Sequence, residues 1–304
     1  MHLAFIETRS QAGISAPPVT VEVHLSAGLP AFQVVGVTDA ASREIRSRVR
    51  SAIVSSHLKW PDFNITINLS PTEQVKQGAR FDLPIAIGLL VASNQLPRET
   101  IEHREFLGEL SLDGSLRPCH GALSATLSAT DAKHMLCVAP DGAAQLASVP
   151  GSRILAATDL LSLCAALQAR EPALVKPGSD PLAPTPHYPD LSQLRGQPFL
   201  CRALELAAAG GHHLLMCGPP GVGKTLAASV LPGLLPPLQP KTQQQIWLIR
   251  DLMGLPRVSG PTFRAPHHSS SIAALIGGTA RATPGDTSMA HGGGISREEV
   301  SALA

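Results

Sequence analysis

Hydrophobic and polar positions alternate with period two over residues 19–25 and 63–69. In the second run Ile65, Ile67 and Leu69 face one way and Asn64, Thr66 and Asn68 the other, the pattern of a strand with one buried face. Between the two runs, Ile45, Val49, Ala52 and Ile53 recur at helical spacing, and Asp39 is the expected N-cap. Arg43, Arg46, Arg48 and Arg50 fall mostly on the other faces of that helix; the run reads as a solvated face, with a phosphate-contacting surface as the alternative. A second helix is expected over residues 83–93, with Asp82 as its cap and Pro84 tolerated in the first turn. Strands near residues 106–112 and 134–139, each followed by a helical stretch, complete an α/β or α+β domain.

The periodicity stops at residues 171–190, EPALVKPGSDPLAPTPHYPD, where proline recurs too often for helix or central strand. This stretch is expected to be an extended, semi-rigid linker between a first domain of residues 1–170 and a second of residues 191–304, with the two domains not packed through it. A length of 304 residues suits two domains, and 44% hydrophobic residues suffice for two cores. With seven Phe, two Trp and one Tyr, those cores must be built from Ala, Leu, Val and Ile, and aromatic platforms for stacking bases are scarce. A formal charge of +1 carries no general bias toward nucleic acid or membrane. Cys119, Cys137, Cys164, Cys201 and Cys217 are widely spaced, without a CxxC pair, and read as reduced core thiols. With neither a leader pattern nor an apolar run long enough for a membrane span, a cytoplasmic protein without membrane partners is expected.

The chemistry lies in the second domain. The apolar run HHLLMC at residues 212–217 is expected to be a strand, and it leads into Gly218-Pro219-Pro220-Gly221-Val222-Gly223-Lys224-Thr225, a GxxxxGKT sequence, with a helix expected over residues 226–231. Glycines in such a loop adopt backbone dihedrals closed to other residues and let main-chain N–H groups surround phosphate oxygens, while the helix points its positive end at them. Lys224 is expected to contact the β- and γ-phosphates of ATP, and the Thr225 hydroxyl to ligate Mg²⁺.

Hydrolysis needs a further acidic group, on an apolar strand, to help hold Mg²⁺ and polarise water. After Thr225 the acidic residues are Asp251, Asp286, Glu298 and Glu299. Asp251 follows Ile246-Trp247-Leu248-Ile249 in a helical pattern broken by Arg250, and Glu298-Glu299 follow Gly293-Gly294-Ile295-Ser296-Arg297, which is no buried strand. No catalytic acid is therefore assigned.

In order along the chain, APPVTVEVHLSAGLPAFQVVG, ITINLSPTEQVKQGARFDLPIAIGLL, GELSLDGSLRPCHGAL, GPPGVGKT and FRAPHHSSS resemble the magnesium-chelatase-like AAA+ proteins of the YifB/ComM type. The resemblance extends to about Ala290. It implies a Lon-protease-like first domain followed by an AAA+ ATPase module. For the intact family protein it also implies a hexameric, ATP-driven DNA helicase that promotes branch migration in natural transformation. Two departures bear on this. Where Lon-type proteases carry the nucleophilic serine, this chain has Lys76-Gln77-Gly78-Ala79-Arg80, and residues 119–132 contain no lysine to pair with one, so the first domain is expected to be a pseudo-protease serving binding or assembly. After Pro284-Gly285-Asp286-Thr287-Ser288-Met289-Ala290-His291 the sequence GGGISREEVSALA leaves the family pattern. The chain is thus expected to be truncated before the acidic strand, the sensor residues and the arginine finger, with an unstable second domain.

Weaker signals are read conservatively. His267-His268 are expected to be polar loop residues, His212-His213 strand-entry residues, and Gly277-Gly278 a loop or helix end. Lys59, Arg98 and Arg281 are scattered and outline no DNA groove. The leading expectation is a DNA-translocating ATPase. Its alternatives are a non-hydrolysing nucleotide-binding or interaction module and, ranked below both, the motor of a porphyrin metal chelatase.

Overall fold

In a computed structural model, the structure describes residues 2–71, 78–178, 183–278 and 283–297. The chain divides into two compact units, Met1–Asp180 and Pro181–Ala304.

The first unit is a mixed α/β domain. Its strands are β1 (Leu3–Arg9), β2 (Pro18–Ser26), β3 (Ala31–Val35), β4 (Asn64–Ser70), β5 (Arg104–Phe106), the short β6 (Glu109–Leu110) and β7 (Leu116–Arg117), β8 (Met135–Val138) and β9 (Ile154–Ala156). Its helices are α1 (Asp39–Ser55), α2 (Asp82–Ala92), α3 (Ala122–Asp131), α4 (Ala143–Ala147) and α5 (Leu160–Gln168). Seven strands form one sheet in the order β3-β4-β2-β1-β5-β8-β9. β4, β2 and β1 pair antiparallel, whereas β3 runs parallel to β4, and β1, β5, β8 and β9 run parallel to one another.

The two alternating runs of the sequence meet in this sheet. Val21, Val23 and Leu25 of β2 stand opposite Leu69, Ile67 and Ile65 of β4, and all six are buried. Against this face lies α2, buried along its entire length. A helix apolar all round belongs inside a core, because no face of it gains from contact with water. Its close approach depends on Gly88, where a Cβ would stand 2.5 Å from Val23 Cγ2. Each large side chain buried here stabilises the fold by roughly 1.5–3 kcal/mol relative to exposure.

Two cap assignments are corrected. The N-cap of α1 is Thr38, whose hydroxyl accepts from the Ala41 N–H at 3.3 Å, and Asp39 is the first residue of the helix. Asp82 is likewise the first residue of α2 and not its cap, and its carboxylate is turned to Arg48. The arginine run of α1 is correspondingly not uniformly solvated, since Arg48 spends its charge inside the domain. At α5 the local chemistry is complete: Asp159 accepts from the Ser162 N–H at 2.7 Å, and Ser162 Oγ accepts in return from the Asp159 N–H.

The second unit contains α6 (Pro198–Gly210), α7 (Lys224–Leu234), α8 (Pro240–Leu252), β10 (Phe263–Arg264), α9 (Ile272–Ile276), α10 (Asp286–Met289) and β11 (Gly294–Ile295). Its core gathers Leu194, Leu204, Ala227 and Val230, with Leu200, Leu214 and Met216 packed against them. β10 and β11 form a two-residue parallel pair. The expected strand at residues 212–217 is absent as a paired strand: Leu214 and Met216 pack inward and His213, Leu215 and Cys217 face out, but among the described residues no strand pairs with the segment. The period-two pattern survives because one side is covered. A ladder needs a neighbouring backbone, and Leu215 is left 76% exposed.

The proline-rich stretch is not a free spacer at its described ends. Val175 N–H donates to Ile154 O at 2.9 Å in the first unit; in the second, Pro184 O accepts from Ser259 N–H, and the Tyr188 hydroxyl donates to Pro261 O at 2.8 Å. Prolines cannot donate to a ladder, but their carbonyls and the intervening N–H groups can still bond. Residues 179–182 lie outside the described residues.

Candidate nucleotide-binding site

The loop of residues 218–225 leaves the segment 212–217 and enters α7 directly at Lys224. Gly221 and Gly223 take φ of +83° and +89°. Nothing lies within 4 Å of the Cβ position at either residue, so backbone conformation and not space demands glycine. Gly223 caps α7 without a side-chain bond. The helical ladder opens with Ala227 N–H on Gly223 O at 2.9 Å. The N–H groups of Lys224, Thr225 and Leu226 therefore precede that ladder, at the positive end of an 11-residue helix.

Pro219 and Pro220 supply no N–H and restrict φ on the way into the turn. Lys224 Nζ donates to Gly218 O at 2.8 Å and to Pro219 O at 2.9 Å, which holds the ammonium at the loop. Gln197, at the start of α6, donates from its amide to Val222 O at 3.0 Å. Both helices flanking the loop share one buried cluster, in which Leu204 of α6 meets Ala227 and Val230 of α7.

A cradle of main-chain amides, one cation and a helix N-terminus suits a phosphate chain. It suits a lone metal ion poorly. Thr225 is the one hydroxyl in the loop sequence, and among the described residues no group of three or more His, Cys, Asp or Glu is placed to hold a metal. A magnesium ion would fit here as a companion of bound phosphates, with the Thr225 hydroxyl as the candidate protein ligand.

Two of the acidic residues weighed in the sequence are described. Asp251 sits in α8, and Asp286 opens α10 with its carboxylate bonded to Arg264 at 2.9 Å. Glu298 and Glu299 fall outside the described residues, as do Lys76, Gln77 and Arg281. His267 and His268 are exposed, with ring centres 4.0 Å apart, and His267 Nδ1 meets Ser269 Oγ at 2.7 Å. Gly277 ends α9 at φ +82°.

In the first unit Arg80 is buried in a single turn, Ala79–Phe81, and its Nη1 donates to Gln11 Oε1 at 3.2 Å. Burial pushes the Cys119 thiol up to about 12, so little of it is thiolate near neutral pH. Among the described residues no helix is long and apolar enough to cross a membrane.

Sequence reasoning missed Gln197. The available signal was its place before Pro198, since a polar residue at a helix start is expected to cap; the side chain of this one makes no capping bond to its own helix.

Two family descriptions match the chain. Residues 21–142 match "Subunit ChlI of Mg-chelatase", and residues 190–303 match "Magnesium chelatase, subunit ChlI". The uncharacterized protein YifB of Escherichia coli strain K12 is 41% identical over 304 residues, covering 99% of this chain and 60% of its own length. YifB of Salmonella typhimurium matches to the same extent. The competence protein ComM of Haemophilus influenzae is 39% identical over 309 residues, with 99% and 60% covered. The chain thus spans about 60% of the length of these curated relatives.

Proposed function

Because the chain belongs to the magnesium-chelatase-like proteins of the YifB/ComM type, we propose that it binds Mg²⁺-ATP at residues 218–225 and supplies the nucleotide module of an ATP-driven DNA motor. The observation that carries this reading is the conformation of the loop, two left-handed glycines leading into the first amides of α7 with Lys224 drawn to the turn. The amides and Lys224 hold the phosphates, Thr225 orients the metal, and bound Mg²⁺ neutralises charge between the β- and γ-phosphates.

On this reading the second unit is an AAA+ module. The first is a Lon-like pseudo-protease domain used for binding or assembly; an arginine at position 80 and a Cys119 thiol pushed up to about 12 support the loss of nucleophilic chemistry. The family resemblance extends this reading to DNA as the partner, branch migration in natural transformation as the activity and a hexamer as the assembly of the intact form, and one of the relatives is a competence protein. Five free cysteines support a reducing, cytoplasmic setting.

Calorimetry on the full chain tests the binding step: micromolar to low-millimolar affinity for a Mg²⁺-bound, non-hydrolysable ATP analogue is expected in the wild type and none in Lys224→Ala. An absence of heat from folded wild type at millimolar ligand would remove the reading. The placement of Asp251 in a helix and of Asp286 on Arg264 favours a second reading, in which this chain binds nucleotide without turning it over. DNA-stimulated phosphate release that disappears in Lys224→Ala selects the motor; binding without release selects the second reading.

A further inference from the structure

Gln197 stands at the N-cap of α6 but leaves that helix's first turn uncapped, and reaches 25 residues along the chain to donate to the Val222 carbonyl. We propose that Gln197 is a positioning residue of the nucleotide site, which orients the Gly223 amide toward the phosphate chain by holding the carbonyl of the same peptide unit. The proposal rests on the reading of residues 218–225 as a phosphate cradle.

The 222–223 peptide is planar and trans, so its C=O and N–H point to opposite sides. Fixing the carbonyl toward α6 therefore directs the Gly223 N–H away from α6. Little else fixes it. This peptide turns about ψ of Val222 and φ of Gly223, and Gly223 has φ of +89° with open space around its Cβ position, where a glycine accepts either sign of φ at little cost. On the Gly223 side, rotation of this peptide unit is opposed neither by a side chain nor by atoms packed against the Cβ position. Lys224 secures the entrance of the loop through the carbonyls of residues 218 and 219, leaving the 222–223 peptide to Gln197. The tether is firm because Leu204 of α6 and Ala227 and Val230 of α7 share one buried cluster, which refers both ends of the contact to the same core.

The test compares wild-type full chain with Gln197→Met, which keeps the side-chain length and lacks the donor. Calorimetric titration uses Mg²⁺-ATP, Mg²⁺-ADP and inorganic tripolyphosphate, and the Gly223 amide is followed by ¹⁵N–¹H spectroscopy. Binding is expected to weaken roughly three- to tenfold for all three ligands, the range of one net hydrogen bond. The ligand-induced shift of the Gly223 amide should shrink while the melting temperature stays within about one degree. Wild-type affinity for tripolyphosphate in Gln197→Met, alongside its loss in Lys224→Ala, would overturn the inference and leave the phosphate cradle standing. A weaker affinity accompanied by a clear fall in melting temperature would also overturn it, because the residue would then be acting through folding. Failure of the wild type to bind any of the three would remove the cradle itself.

Discussion

Arg48 of α1 forms a two-pronged contact with Asp82 at the start of α2, Nε to Oδ2 at 2.7 Å and Nη2 to Oδ1 at 3.1 Å. The partners are unequally exposed: the Asp82 side chain retains 1% of its surface and that of Arg48 30%. Burial raises the Asp82 carboxyl above its ordinary value, with the bond from Arg48 pulling the other way. The pair therefore holds a charge that the core would otherwise reject, and fixes α1 to the fully buried helix.

Removing the two partners is expected to have unequal effects. Arg48→Ala leaves a buried carboxylate without its cation and should destabilise the first unit by about 3–5 kcal/mol at pH 7. Asp82→Asn leaves an arginine that still reaches water and Glu44, and should cost only about 1 kcal/mol. The raised carboxyl binds more protons folded than unfolded, so in Arg48→Ala stability should rise as pH falls from 7 toward the unfolded value of about 4, narrowing the gap to wild type. Urea unfolding at pH 7 and pH 5 measures both effects; equal losses for the two variants would contradict this account of the pair.

Gly223→Ala and Gly221→Ala each place a Cβ on a backbone with positive φ. The left-handed conformation costs an L-residue roughly 1–2 kcal/mol, and the loop can relieve it by changing shape. Nucleotide affinity is expected to fall about tenfold or more with little change in melting temperature, because the open space around both positions precludes a packing clash. Titration beside thermal melting separates these outcomes, and unaltered affinity would contradict the conformational requirement.

The α5 cap carries a pH signature of opposite sign. Hydrogen bonds, first from the Ser162 N–H and then from the Thr158 hydroxyl, hold the Asp159 carboxyl below its ordinary value. Its contribution is present above the unfolded value of about 4 and is lost as pH falls through the lower folded value. Asp159→Ala should destabilise by about 1 kcal/mol at pH 7 and by progressively less below pH 4, while Asp159→Asn should keep most of the cap. Chemical denaturation of the three proteins across that range is the measurement.

The thiols should sort by burial. Desolvation pushes Cys137 up to about 12 and Cys164 to about 11, whereas Cys217 is exposed immediately before Gly218. A thiol-specific disulfide reagent at pH 7.5 is expected to label Cys217 rapidly and Cys137 and Cys164 only on unfolding. Mg²⁺-nucleotide should slow the labelling of Cys217. Peptide mapping of the labelled sites would expose any other order.

Local patterns were legible wherever one face of an element decides its fate. The alternation of residues 63–69 marks both β4 and its inward side, since side-chain period alone assigns Ile65, Ile67 and Leu69. The GxxxxGKT loop is equally readable, because its demands are on backbone conformation and are met by consecutive residues. Pairing is different. Residues 212–217 carry the alternation of a strand without gaining a ladder, and Asp82, which reads as a cap, is committed to an arginine 34 residues away.

The chain's order of residues by itself determined the family, the glycine-rich GxxxxGKT loop and the apolar faces of the main strands and of α1, since each depends on neighbours a few positions apart. Only the tertiary structure decided that Arg48 neutralises Asp82, that the ends of the proline-rich stretch bind their own units, and that Gln197 holds the loop. These are contacts between groups far apart in sequence, and their partners are chosen by how the helices pack rather than by any local preference.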